Sequence, residues 1–444
     1  MKIAAKLVFP LVLFATAGFA QVNINSPGNG ATVSSPVNFS AVATPVGGRQ
    51  ITAMRIYVDS NSVYLGNGPS LNTSVNMSPG GHNVTMQAWD NAGAVYKTAL
   101  SVSVSGTASN LFQGNMSATV NWMERISVAP DGAILYGSSE IIPYYSNLAA
   151  IGMTRYPNSA SNAVVENWMK WYINHLNWPD RWGLYGSIYD FNYNNGALTS
   201  HNNADSTDSY AATFLSLAWA FYSTGDAGAQ SFVKTLAYQL DAIGQVIIKT
   251  SDADGLTWAK PDYHIKYLMD NAEVYRGLRD LALLWQNGFH DLGKADYYNA
   301  AANKMYSSLV KMYLGGGKWA WYKDALGRLP APNLGKWYPD ATAQMFPVMQ
   351  GVLPGTDSRA IATYNTFNSA WPGWPNLSFN SQDPFPWVMI AGAAAQMGDS
   401  GRVNTYIRNI QNKYVNQGFP WTWYSMEAGW FIRLNSYMMG KRPL

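Results

Sequence analysis

Carboxylates occur in three settings where residue type and spacing could support proton transfer. In "HNNADSTDSYAATFLSLAWAF", residues 201–221, Asp205 and Asp208 stand three apart ahead of an apolar stretch. In "DGAILYGSSEIIPYY", Glu140 follows Tyr136 and precedes Tyr144 and Tyr145; in "KWYPDATAQMFPV", Asp340 follows Trp337 and Tyr338. Each acid lies at the start of a predicted helix, where unpaired backbone N–H groups and the helix dipole favour negative charge, so a cap or first-turn role is open to all of them. A cap accounts for one acid. A pair flanked by His201, Asn202, Asn203, Ser206, Thr207 and Tyr210 makes a cluster of short polar groups better suited to a pocket floor. Partial burial of Glu140 among its tyrosines would raise its pKa and fit it to donate a proton.

Hydrolysis of a glycosidic bond needs such a donor, together with a second carboxylate acting from the opposite face of the ring. The two must come from separate elements, because neighbours on one helix cannot flank a sugar. Glu140 as acid with Asp208 as base meets that condition, with Asp340 as the rival base. Asp205 with Asp208 does not meet it, which leaves Asp205 to position the sugar or tune its neighbour. Composition leans the same way: 14% of residues are aromatic, with 18 Trp and 28 Tyr, against 12% charged. Such rings fill cores but also stack on the apolar faces of sugars. Tyr210, Trp258, Trp319, Trp321, Trp337 and Tyr338 are candidate sugar contacts, as are Trp371, Trp374 and Trp387 in predicted connections. Packing at helix ends is the competing role for the tryptophans.

Other polar residues have more ordinary readings. Asp270 and Glu273 in "MDNAEVYRGLRDL" have Arg276 and Arg279 within helical reach, which points to salt bridges. Glu427 in "WYSMEAGWF" would need a partner if buried, such as Arg433, and support and catalysis both stay open for it. The 5 His residues show no HExxH or HxH spacing, and "SDADG" at 251–255 lacks the remaining ligands of a calcium loop. No GxSxG, Walker or dinucleotide glycine pattern occurs. Neither a metal nor a cofactor is expected.

The elements that must position these residues follow from periodicity. Residues 1–20 carry Lys2 and Lys6, an apolar run and "ATAGFA", the marks of an export signal, so the mature chain is expected to be secreted or periplasmic. Nothing later approaches eighteen uninterrupted apolar residues, so no membrane span is expected. The chain has no cysteine, and stability must come from burial. The net charge of +3 is thinly spread and gives no patch for nucleic acid. Residues 21–105 alternate with period two between turn signals, as a β-sandwich would, and resemble bacterial immunoglobulin-like modules. "GTASNLFQGNMS", within 106–120, reads as a linker. From 121 to 444 the period is helical, with helices expected near 141–152, 162–176, 208–223, 227–249, 265–287, 294–314, 341–352, 358–369, 385–396, 401–415 and 422–438. Residues 211–221 are apolar on every face while 227–249 carry a single stripe. Enclosed helices alternating with half-exposed ones fit two concentric rings, an (α/α)6 toroid, with an α-solenoid as the alternative. A monomer is expected.

The runs "SSEIIPYY" and "ADSTDSYAATFLSLA" resemble those of secreted six-hairpin glycosidases, and more distantly of family 8 glycoside hydrolases, where a Glu opens the first inner helix and an acidic run opens a later one. The resemblance implies a glycoside hydrolase acting on a carbohydrate, mostly with inversion, with Glu140 and Asp208 as the counterparts of its acids. The acids here are three apart where the family pattern has two, and "SSEIIPYY" lacks its glycine-rich continuation. A polysaccharide lyase using Tyr263, His264 and Asn271 is the second reading, against which the sparse basic residues argue. A non-catalytic glycan-binding protein is the third.

Overall fold

The computed structural model describes residues 21–59, 61–75, 77, 80–105, 109–194 and 196–441, so the export signal expected at 1–20 lies outside the described residues. The chain divides into two compact units that meet in sequence at Ser105 and Gly106.

The first unit is built of strands β1 (Gln21–Ser26), β2 (Ala31–Ser34), β3 (Val37–Thr44), β4 (Ile51–Val58), β5 (Asn61–Asn67), β6 (Ser70–Val75), β7 (Gly80–Asp90) and β8 (Val95–Ser105). They form a three-stranded sheet, β1-β3-β6, and a five-stranded sheet, β2-β8-β7-β4-β5, in which only β2 and β8 run parallel. Alternation sets the buried faces: Val37, Phe39, Ala41 and Ala43 of β3 are buried, as are Val84, Met86 and Ala88 of β7. The Thr98 hydroxyl of β8 donates to the Val22 carbonyl of β1 and ties the sheets together.

The second unit is helical: α1 (Ser109–Trp122), α2 (Pro143–Met153), α3 (Ser159–Asn174), α4 (Thr207–Tyr222), α5 (Ala227–Lys234), α6 (Ala237–Thr250), α7 (Leu268–Leu284), α8 (Leu292–Leu309), α9 (Phe346–Met349), α10 (Ser358–Ala370), α11 (Val388–Gln396), α12 (Ser400–Lys413) and α13 (Ser425–Met438). Six of them close a ring: α2 packs on α4, α4 on α7, α7 on α9, α9 on α11, α11 on α13, and α13 back on α2. Around it, α1 packs on α13, α3 on α2, α5 and α6 on α4, α8 on α7, and α12 on α11. The all-round apolar surface of α4 is consumed by this enclosure. Glycine sets the closest crossings of the ring. A Cβ on Gly152 of α2 would collide with the Gly429 backbone of α13, and one on Gly277 of α7 would stand 2.6 Å from the Ala212 carbonyl oxygen of α4.

Three expectations change. Most of 106–120, expected to link the units, falls in α1, because Phe112, Met116 and Val120 recur at helical spacing and are buried. The helix expected at 227–249 breaks between α5 and α6, where the Thr235 hydroxyl bonds the Phe232 carbonyl and competes with the helical pattern. The helix expected at 341–352 shrinks to the single turn of α9 after an irregular turn at Trp337–Ala341. Pro347, without an N–H, fits only the start of a helix there.

Candidate active site

All six inner helices point their N-terminal ends at one cavity of about 370 Å3, within the 300–1,000 Å3 range of small-molecule clefts. Tyr144 and Tyr145 come from the start of α2, Ser209 and Tyr210 from α4, Met269, Asp270 and Glu273 from α7, and Phe346 from α9. Trp387 and Met389 come from α11, and Tyr424 and Met426 from α13. Three further carboxyls, Asp190, Asp205 and Asp383, also line it, and among the described residues no Lys, Arg or His does.

Short strands bring Asp190 and Asp205 together. β9 (Glu140–Ile141) pairs with β10 (Phe191–Asn194), which pairs with β11 (Ala197–Ser200). The turn back to α4 is clamped on Asp190, whose amide donates to the Asn203 carbonyl while its own carbonyl accepts from His201. The Tyr210 hydroxyl donates to Asp190 Oδ1 at 2.8 Å and accepts from the Asp205 amide at 3.4 Å. Burial pushes the Asp190 carboxyl up to about 7 against the Tyr210 hydrogen bond, and the charges of Asp205 and Glu140 push the same way.

The α7 side has its own proton problem. The Ser206 hydroxyl lies 2.7 Å from Asp208 Oδ1 and 3.1 Å from Asp270 Oδ2. Its one hydrogen can serve only one of them, so the other contact requires a protonated carboxyl. Burial, then the charges of Asp208 and Glu273, holds Asp270 well above the usual carboxylate range, which makes it the proton carrier. Glu273 accepts from the Tyr144 hydroxyl at 2.6 Å, and burial pushes it up to about 8.

Asp205, Tyr210, Tyr338 and Trp387 therefore reach the cavity wall, while the other candidate residues lie elsewhere. Asp208 is fully buried beneath the wall, held by Ser206, the Ser209 amide and the Thr257 hydroxyl at 2.5 Å, and burial pushes it up to about 6. Asp340 is buried and accepts from the Asn333 amide at 2.6 Å, away from the wall. Glu140 sits in β9 rather than in a helical turn; its charge acts on Asp190 and Tyr136, but it does not line the cavity.

The tryptophans divide in the same manner. Trp319 is buried and donates to Thr363, and Trp337 is buried and stacked 4.0 Å from Phe379. Trp258 lies under the Lys266 ammonium, and Trp321 packs edge-on against Tyr322. Both are outside the cavity lining. The acids of "SDADG" are occupied as well: Asp252 and Asp254 hold Lys266, and Asp254 also holds Lys323.

The salt bridges expected for Asp270 and Glu273 do not form. Arg276 pairs with Asp280 one turn along the same helix and Arg279 bonds Asn299, which frees the two acids to face the cavity. Glu427 is supported by backbone instead of Arg433. Its two carboxylate oxygens accept the amides of Trp387 and Val388 at 2.9 and 2.8 Å, which opens α11 where no side chain of that helix can. Trp387 itself is in the left-handed region at φ 57°, a strained state for a non-glycine residue, and Glu427 fixes its amide there.

Asp190 and Asp383 carry no helical periodicity that would mark them in the sequence. The signals that could have found them are local: "YDFNYN" opens a strand toward the acidic run, and "QDPFPW" sets an acid before a helix start.

No protein-family model and no curated protein matches the sequence. Solved structures do. A family 63 mannosylglycerate hydrolase from Thermus thermophilus, in complex with glucose, superposes with a TM-score of 0.52 at 12% identity, covering 72% of this chain and 99% of its own. An uncharacterized conserved protein from the same organism gives 0.52 at 11%, covering 73% and 99%. A wild-type glycosidase gives 0.50 at 13%, covering 75% and 96%. At such identities the likeness is one of fold: most of this chain has a helical architecture that glycoside hydrolases also use.

Proposed function

We propose that this chain is a secreted glycoside hydrolase cleaving a polysaccharide or oligosaccharide, with Asp190 as general acid and Asp383 as general base. The observation that carries the reading is a pair of carboxyls that line one aromatic cavity from separate elements. Asp190 belongs to the approach to α4 and Asp383 to the approach to α11, helices three places apart in a ring of six, so the two would flank a bound sugar. With a pKa near 7, Asp190 carries the proton that the leaving oxygen takes as the glycosidic C–O bond breaks. Water attacks the anomeric carbon from the opposite face, gives its proton to Asp383, and inverts the configuration. Asp205 tunes the Asp190 proton and meets sugar hydroxyls, while Tyr145 and Trp387 offer stacking faces.

The lyase reading is disfavoured by the cavity's lack of basic side chains, which a uronate would require, and by the position of its residues. Tyr263 and His264 are exposed and Asn271 is buried against Thr257, none of them in the lining. A glycan-binding protein would keep the aromatics but has no use for carboxyls that hold protons near neutral pH. The strand unit, read as an immunoglobulin-like sandwich, would act as a spacer or stabilising cap on a monomeric secreted enzyme.

The test is incubation with glucans, chitosan and uronate polymers, followed by reducing ends, absorbance of unsaturated products, and proton NMR of the first anomer released. New reducing ends with inverted configuration and no unsaturation are expected, and Asp190→Asn should abolish them. Unsaturated products would establish the lyase, and retention of a glycan without any product would establish the binder.

A further inference from the structure

A second pocket of about 60 Å3 lies inside the same helical unit, on the far side of Glu273 from the carboxyl cavity. Its wall comes from the C-terminal parts of α2 and α4, the middle of α7, and α13. Three guanidiniums converge on it, those of Arg155, Arg276 and Arg433. Arg276 is matched within the wall by Asp280, whose two oxygens accept from Arg276 Nε at 3.0 and 2.8 Å. Glu273, the other acid in the wall, is committed to Tyr144 and is largely neutral near pH 7.

Arg433 is the exceptional member. It is 8% exposed, its Nε has no hydrogen-bond partner, and among the described residues no carboxylate forms an ion pair with it. The Trp430 ring lies 3.8 Å from its guanidinium carbon, which covers one face and leaves the donors in the guanidinium plane. A buried charge in that state is costly unless a counter-charge reaches it. Burial, then repulsion from Arg155 and Arg276, holds it well below the usual arginine range; the charge of Asp280, already paired with Arg276, opposes this without reversing it. The pocket exceeds the roughly 10–15 Å3 that one water needs, and Ser216 and Gln350 add neutral donors to its wall.

We propose that this pocket is a binding site for a small monovalent inorganic anion of the halide class, seated on the Arg433 guanidinium between Arg155 and Arg276. The anion supplies the missing counter-charge at the end of the ring opposite the carboxyl cavity. Its role is structural: it holds α13 against α2, α4 and α7, and it takes no part in bond cleavage.

Crystals of the protein grown or soaked in sodium bromide give a direct test. An anomalous peak within hydrogen-bond reach of Arg433 is expected, and a pocket without one, or filled by water alone, overturns the proposal. In solution, the melting temperature measured against chloride, with gluconate keeping ionic strength constant, should rise saturably by about 2–4 °C. The rise should vanish in Arg433→Met. Dependence on ionic strength alone, or an undiminished rise in the variant, overturns the site; a saturable response to phosphate or sulfate but not chloride overturns the halide assignment. The bromide measurement needs no variant, so misfolding of Arg433→Met does not leave the question open.

Discussion

The two ends of the helical ring carry opposite chemistry on the same helices. At the N-terminal ends stand Asp190, Asp205, Asp270, Glu273 and Asp383; toward the C-terminal ends stand Arg155, Arg276 and Arg433. The helix N-termini around the first set favour its negative charge, whereas Arg276 and Arg433 stand mid-helix and gain no such support. The groups differ in what crowding does to them. A carboxyl answers burial and like charge by keeping a proton, so Asp190 and Glu273 become acids near neutral pH and Asp270 is pushed well above the usual carboxylate range. An arginine gives up its proton far less readily, so the crowded Arg433 must find an anion. The same arrangement therefore yields a proton-transfer site at one end and an ion-binding site at the other.

The sharpest way to break this comparison is to exchange a residue at each end. Asp383→Asn should lower kcat by about 10²–10⁴-fold, the usual contribution of a general base, and leave the melting temperature nearly unchanged. Arg276→Met should destabilise the protein while the surviving folded fraction turns over normally. If the arginine variant folds fully and loses as much activity as the aspartate variant, the division of labour fails.

Glu427→Gln separates an acid that supports from one that reacts. Gln replaces one of the two accepting oxygens with an NH2 that cannot accept, so one of the Trp387 and Val388 amides loses its partner and a loss of about 1–3 kcal/mol is expected in denaturant unfolding. Because Trp387 is released from its left-handed conformation, KM should rise as well. An unchanged unfolding midpoint would mean that the cap carries no load.

The smallest effect concerns pH. Asp208, Asp190 and Glu273 have folded values of about 6, 7 and 8, all above their ordinary range. Groups raised in this way favour the folded state fully below about pH 4, and that contribution is lost as pH rises through 6 to 8. The melting temperature should accordingly be higher at pH 5 than at pH 8.5. The activity profile should lose its acid form with a limb near pH 7, and Asp205→Asn should move that limb to lower pH by removing a repelling charge. A limb that stays in place would show that Asp190 is not the group being titrated.

Local pattern in the sequence was enough for most helices, since the 3.6-residue period is written along each segment, and for the polar entrance to α4, where Asp205 and Tyr210 do reach the cavity. It was not enough for the acids. Glu140, Asp208 and Asp340 share the sequence appearance of helix-start carboxylates, yet lie off the wall, while Asp190 and Asp383 sit in loops without periodicity. Trp319 and Trp337, in glycine- and proline-rich surroundings, are packed in the core.

What the sequence by itself determined is therefore the class of each segment: strands from 21 to 105, helices beyond, one of them enclosed on every side, with aromatic loops between. What only the tertiary structure decided is which residues meet. Closing six helices into a ring brings loop carboxyls more than a hundred positions apart to one cavity and three arginines to another. Neither assembly is encoded in local spacing, because the burial and like-charge repulsion that set their chemistry arise only once the ring is closed.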